Sequence, residues 1–336
     1  MRKLVTLRKV SEVRPIENSD FLELCVVDGW QCVTKKGAFK AGQVGVFFEV
    51  DSFLPAQPRY EFLRKSCFRK MFDGREGFRI KTMRLRGVLS QGLLMPPDEL
   101  SFNIETITNE DLSESLGVIK WEVPINAALQ TDAKGPFPSF IPKTDQERIQ
   151  NLVEMLPNWQ GKRFEISEKV DGASLTYYHN NGEFGLCSRN LELKESESNT
   201  AWKIAKEQGF VEKIKSMGNV AVQGEILGPG IQANPYKLKE CQFFVFDIYD
   251  IDQHRYLNPK ERHNMLALRM WHVPVLCPQE GDEMVYALED LLKMSDGPSR
   301  INEEVMREGL VFKEMSESQD RVSFKVISNA FLLAEK

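Results

Sequence analysis

Glu168-Lys169-Val170-Asp171-Gly172 is the stretch on which the reading of this 336-residue chain turns. Arg163 to Glu168 reads as a β-strand, and Ser174 to His179, just after Gly172, reads as another. Lys169 therefore stands where a strand ends and the chain bends. A lysine can attack an electrophile only when neutral, which its free pKa of roughly 10.4 opposes near pH 7. Desolvation at a strand end and neighbouring bound cations favour the neutral form. Asp171 shares a face with Lys169 in an extended chain, and Gly172 permits a sharp turn over a nucleotide. Alone, Lys-x-Asp-Gly is a short pattern that equally describes a plain surface turn.

Downstream, five further stretches follow in order: Ser188-Arg189-Asn190, Gly224-Glu225-Ile226, Phe243 to Asp247, Glu308 to Lys313, and Phe324-Lys325-Val326. Taken singly, each has an ordinary structural reading. Arg189 suits a solvated turn, Phe246 a core, and Glu225 a satisfied polar group at a strand end. Val220 to Leu227, Cys241 to Tyr249, Gly309 to Phe312 and Val322 to Ile327 read as strands. Thr200 to Met217, Asn258 to Trp271 and Ala287 to Ser295 read as helices. Upstream, Thr144 and Glu147 have capping-box spacing, with Ile149, Leu152, Val153 and Leu156 at helical intervals behind them. That spacing predicts a helix carrying Arg148. The expectation is an α+β domain with largely antiparallel sheets over residues 144–336.

In order and spacing these motifs resemble the covalent nucleotidyltransferase superfamily of ATP-dependent ligases and mRNA-capping enzymes, over about residues 144–330. The resemblance implies that Lys169 attacks the α-phosphate of ATP to give a lysyl-AMP. It assigns Arg189 and Glu225 to the ribose hydroxyls, Phe246 to stacking on the purine (with Phe244 on the same strand as an alternative) and Lys325 to the α-phosphate. Asp171 and Glu308 would hold Mg2+ or Mn2+, Glu168 would accept from the adenine amino group, and Arg148 would reach the departing phosphates. Related ligases often carry Lys-x-Lys in the last motif, whereas Ser323 stands at the first position here. Lys313 or Arg321 could supply the missing charge.

The front of the chain reads differently. Residues 1–97 hold 18 Lys/Arg against 10 Asp/Glu, a balance of +8 inside a chain whose net charge is −5. Arg59 to Arg86 alone carries ten basic and three acidic residues. Such asymmetry suits a surface that meets phosphates, although a merely solvated basic face has the same composition. Short strands are expected at Leu4 to Val13, Phe21 to Val33 and Val44 to Val50. Phe78 to Leu85 is expected as one strand with a greasy and a basic face. Asp28-Gly29, Arg86-Gly87 and Gln91-Gly92 punctuate them, and Asn109-Glu110-Asp111-Leu112 could start a short helix. This pattern predicts a small all-β barrel of the OB type over residues 1–125 with its connecting segment, and the prolines of 126–143 predict a linker.

Only eleven residues follow Lys325, too few for the OB domain that capping enzymes and most DNA ligases carry there. Asn18 to Leu24, Gly42 to Pro55 and Lys81 to Pro96 instead resemble the amino-terminal OB domain of RNA ligases of the Naegleria/Deinococcus type. These seal 3′-OH and 5′-phosphate RNA ends. The resemblance thus implies ATP and Mg2+ or Mn2+ as cofactors and RNA ends as partner. Other readings are a DNA ligase or guanylyltransferase, or a non-catalytic RNA-binding protein with a degenerate second domain. No run approaches the roughly 18 apolar residues of a membrane span, and the first ten residues lack a signal-peptide core. The six scattered cysteines include no Cys-x-x-Cys pair, which argues against zinc and disulfide frameworks and for a reducing compartment, cytoplasmic or nuclear. A monomer without protein partners is expected.

Overall fold

The computed structural model describes residues 3–71, 73–101, 111–121, 133–266, 270–316 and 321–334. The chain forms two compact units. The first comprises Met1–Pro124, Ile149–Met155 and Leu332–Lys336, and the second comprises Ile125–Arg148 and Leu156–Phe331.

The first unit is antiparallel β. Its five-stranded sheet runs in the order Leu93–Met95, Val44–Phe48, Val5–Pro15, Leu22–Val27, Trp30–Lys35. A four-stranded sheet orders Ile119–Lys120, Ser52–Pro55, Glu76–Arg79, Phe68–Lys70. Alternation drives Val10, Cys25, Val27, Trp30, Cys32 and Phe47 into one apolar cluster. The segment expected as one strand from Phe78 to Leu85 is instead two. Glu76–Arg79 ends at Ile80, whose N–H bonds the Ser52 carbonyl, and Met83–Leu85 pairs with Val88–Ser90 across Arg86-Gly87. Both turn residues have positive φ, 51° and 81°, as a two-residue hairpin loop of this hand requires. Nor is the basic face wholly free. Arg79 is tied to Asp51 at 2.9 Å and lies against the Trp121 ring. In the helix start expected at Asn109 to Leu112, residues 109–110 lie outside the described residues; Asp111 and Leu112 are not helical.

Two sheets build the second unit. The larger has eight strands, with Ala173–Asn180, Val220–Leu227 and Gln242–Asp250 at its centre. Helices Thr200–Glu207 and Phe210–Lys215 pack Trp202, Ile204 and Phe210 into one apolar cluster with Tyr177, Val222 and Phe243. The smaller sheet orders Glu147–Arg148, Ser323–Ile327, Gly309–Glu314, Arg163–Lys169, Asp282–Glu283. Its two faces differ because side chains alternate along each strand. Phe164, Phe312 and Phe324 fill one side, with ring centroids 4.9–6.5 Å apart, and all are almost fully buried. Burying each ring contributes roughly 1.5–3 kcal/mol, so this apolar side fixes the sheet. The opposite side carries Glu165, Ser167, Lys169, Lys313 and Lys325, all set by the same register.

The helix expected from Thr200 to Met217 is two, parted at Gly209 with φ 66°, and Trp271, expected at a helix end, pairs with Phe244 in a strand. Two further stretches depart from the sequence reading. Thr144 to Leu156 is not a continuous helix. Glu147–Arg148 pairs in parallel with Phe324 and Lys325, then 3-10 turns follow at Ile149–Asn151 and Val153–Met155. Tertiary partners outweigh the helical spacing: Ile149 is fully buried, the Gly29 N–H bonds the Gln150 carbonyl, and Asn151 joins Trp30 to Glu49. The proline-rich segment expected as a linker is partly structured as well. Ala133–Pro136 pairs with Leu191–Leu193, and the Gln223 side chain donates to the Pro142 carbonyl.

Candidate active site

Lys169 closes the strand Arg163–Lys169 of the smaller sheet, and Ala173 opens a central strand of the larger one. Val170-Asp171-Gly172 is therefore the crossover between the two sheets. No side chain fits at Gly172, because a Cβ would lie 2.4 Å from the Ile226 carbonyl oxygen. The Asp171 N–H is fixed by the Tyr236 hydroxyl at 2.7 Å, a partner the sequence gives no sign of.

The pairing of Lys169 with Gly309 sets Glu308 beside the lysine, and Lys169 Nζ lies 2.6 Å from Glu308 Oε2. Burial alone would lower the lysine pKa. The Glu308, Glu225 and Asp171 carboxylates outweigh it and hold Lys169 above the usual lysine range. This reverses the expected depression, since the resting lysine is an ion-paired ammonium. Glu225 pays the complementary cost: burial, with Glu308 and Asp171 close by, pushes its carboxyl up to about 8 against the pull of Lys169. Three carboxylates thus crowd one ammonium.

On the same side of the smaller sheet, Lys325 stands opposite Val311, one step from Lys169, and Arg148 stands opposite Lys325. Arg148 is thereby a strand residue, brought to Lys325 by parallel pairing instead of by a helix. Ser323, in the place of the missing lysine, donates to Gln146 at 2.6 Å.

Phe246 and Asp247 owe their placement to a β-bulge. Gln223 pairs with Asp247 and Gly224 with Val245, so Phe246 is the extra residue. Gly224 makes the bulge possible, since a Cβ there would lie 2.4 Å from the Phe244 carbonyl oxygen. Phe246 is half-buried and packs against the cluster of Val170, Leu227 and Tyr236, in which Phe244 is buried. Asp247 is almost fully buried and held to about 2: Arg321, Lys313 and Arg262 overcome the effect of burial. Arg321 binds it twice at 3.0 Å and Lys313 at 3.1 Å. Lys313 also donates to the Phe246 carbonyl and lies 5.5 Å from its ring centroid. Neither cation is left unpaired in the ligand-free site to stand in for the lysine absent at 323. Both instead brace the Phe246–Asp247 bulge.

Arg189 is in a half-exposed ion pair with Asp145 at 2.5 Å. Glu168 accepts the Arg300 N–H at 2.7 Å with one oxygen. Its other oxygen is buried without a partner among the described residues. A further cluster, Glu165, His263 and His272, has possible ligand atoms within 4.8 Å of one another. The buried Arg262 guanidinium donates to both Glu165 and His272, so a cation already fills that place.

Two sheets joined at a lysine-bearing crossover, a bulged aromatic on the larger sheet and an amino-terminal β unit define a polynucleotide ligase. A family model described as an OB-fold domain matches residues 4–97, and the RNA ligase model matches residues 162–327. The chain is 43% identical to Naegleria gruberi RNA ligase, seen in a structure with PPi that superposes at a TM-score of 0.92 over 99% of this chain and 98% of that one. A lysine-to-alanine variant of that ligase with ATP and Mn superposes at 0.91, and a glutamate-to-alanine variant with AMP and Mn at 0.92. Each is 43% identical and covers 98% of both chains. No curated protein sequence matches the chain. The chain belongs to the RNA ligase family, in the branch that the Naegleria gruberi enzyme represents. It is an ATP-dependent RNA ligase.

Proposed function

We propose that this ligase seals 3′-OH and 5′-phosphate RNA ends with Lys169 as the adenylylated residue. The observation that carries the proposal is the position of Lys169 at the crossover, 2.6 Å from Glu308 and on one side of a sheet with Lys325 and Arg148. In the first step the Lys169 nitrogen bonds the α-phosphorus of ATP while the bond to the β-phosphate oxygen breaks, and pyrophosphate leaves. Lys325 balances the charge gathering on the α-phosphate oxygens, and Arg148 steadies the departing phosphates. In the second step the RNA 5′-phosphate takes the AMP from Lys169, and in the third the 3′-OH displaces AMP.

Phe246 offers its half-buried ring to the purine, and the lone buried oxygen of Glu168 suits the adenine amino donor. Glu225 and Arg189 serve the ribose hydroxyls. Lys313 belongs with them as the brace of the purine shelf. Burial, with Glu308 and Asp171 adding to it, lifts Glu225 to about 8, and three carboxyl groups gathered at one lysine are a donor set that fits a hard cation. Asp171 and Glu308 would hold Mg2+ or Mn2+, which lowers the charge barrier at phosphate. A cation on Glu308 and Asp171 would weaken two of the three carboxyl groups that hold Lys169 charged and shift it toward the neutral amine that burial favours.

Among the described residues no helix is long and apolar enough to cross a membrane. Six free thiols suit action inside the cell, and the chain works as a monomer on RNA ends. Incubation with α-labelled ATP or GTP tests the reading: a covalent label from ATP alone supports it, and a label from GTP alone points to capping chemistry.

A further inference from the structure

The segment Pro58–Cys67 of the first unit is a 3-10 turn, Pro58–Leu63, continued by the α turn Arg64–Cys67. Its inward residues are Tyr60, Leu63 and Cys67, which join the apolar cluster of Phe48, Leu54 and Phe78. In 3-10 geometry residues three apart eclipse, so the outward row is Arg59 and Phe62, with Lys65 in the next position. Phe62 is 63% exposed, and Arg59 and Lys65 are exposed on either side of it. The core does not need this ring, since Tyr60 already packs edge-on against Phe48.

Charge pairing separates the cations of this segment into two kinds. Arg64 is closed on Glu61 through two bonds of 2.6 and 2.8 Å, and its guanidinium lies over Phe68. Arg59 and Lys65 have no carboxylate partner among the described residues. Arg59 lies over the Tyr60 ring, 5.6 Å from its centroid, a contact that leaves its charge unneutralised. An exposed aromatic ring flanked by two cations without carboxylate partners is the arrangement that holds single-stranded nucleic acid. A base stacks on the ring and the adjoining phosphates meet the charges. A lone exposed phenylalanine would carry no such meaning.

We infer that Phe62 is a stacking platform for an unpaired base of the RNA substrate, with Arg59 and Lys65 gripping the phosphates on either side. The inference rests on the RNA ligase reading and adds a residue that engages the base where the cations engage only the backbone.

The test uses the full chain and single-stranded RNA containing 2-aminopurine. Phe62→Ala should weaken binding about tenfold and reduce 2-aminopurine quenching, while Phe62→Trp keeps both. The salt slope should be unchanged in Phe62→Ala and fall by about 1.4 in the Arg59→Ala/Lys65→Ala double variant, at roughly 0.7 per phosphate contact. Thermal melts and labelling by ATP, run on the same samples, should match the parent protein. Unaltered RNA affinity in Phe62→Ala would overturn the inference, and so would Phe62→Leu binding as well as Phe62→Trp. An equal loss on fully paired duplex would also overturn it. If the parent protein itself takes no label from ATP, the ligase reading fails, whatever Phe62 does.

Discussion

Lys169 Nζ and Glu308 Oε2 lie 2.6 Å apart because antiparallel pairing sets Lys169 against Gly309, the residue after Glu308. The lysine proposed as nucleophile and a carboxylate that holds it charged are thus delivered by one register. In the ligand-free protein the carboxylates keep this lysine an ammonium, a form that cannot attack phosphorus.

The crowding around that pair makes apo stability depend on Glu225. A carboxyl whose folded pKa is raised contributes stability that is full below its unfolded value near 4.3 and lost as pH rises through about 8. Glu225→Gln removes that loss. Melting temperatures without nucleotide or metal should show the variant gaining on the parent from pH 5 to pH 9. A constant difference across that range would contradict the crowding.

Asp247 should be far more costly to neutralise than a surface acid. Asp247→Asn leaves Lys313, Arg321 and Arg262 buried around a neutral amide. Breaking a buried ion pair on one side typically costs about 3–5 kcal/mol. Chemical denaturation should show a loss of that order. A loss below about 1 kcal/mol would mean the cluster is not the brace described for Phe246.

Lys325 and Ser323 should separate cleanly. Lys325→Ala removes a cation from the side of the sheet that carries Lys169 and should slow lysyl-AMP formation by at least about tenfold, a modest fraction of what charge stabilisation at a transition state supplies. Ser323→Ala loses one bond to Gln146 and should change the rate less than about twofold. Single-turnover labelling with ATP measures both, and equal losses would give Ser323 a role in the chemistry.

The site candidates came from the order of the motifs and their resemblance to the ligase superfamily, and period-2 alternation puts Lys169 and Lys325 on one side of the smaller sheet. What escaped depends on long-range partners. Thr144 to Leu156 has genuine helical spacing, yet Arg148 is drawn into a sheet by Lys325, and Ile149 is captured by the first unit. Lys313 and Arg321 were equally open to phosphate or to structure until the bulge at Phe246 turned Asp247 toward them, and a bulge leaves no local signature. Tyr236 reaches Asp171 from 65 residues away, beyond any motif.

The capture of Ile149–Met155 also bears on the front module. Asn151 accepts from Trp30 at 2.7 Å and donates to Glu49 at 2.6 Å, so Asn151→Ala should destabilise the first unit by about 1–3 kcal/mol. Denaturant titration followed by Trp30 fluorescence would read it. An unchanged midpoint would show that the segment rests against the unit without holding it.

The central claim is that Lys169 is the residue that carries AMP, and one gel decides it. Parent protein, Lys169→Ala and Lys169→Arg are incubated with α-labelled ATP and divalent metal, then denatured and separated. The account predicts label on the parent alone, because arginine keeps the charge but cannot deprotonate to attack. Covalent label on either variant would place the nucleophile elsewhere and contradict the account.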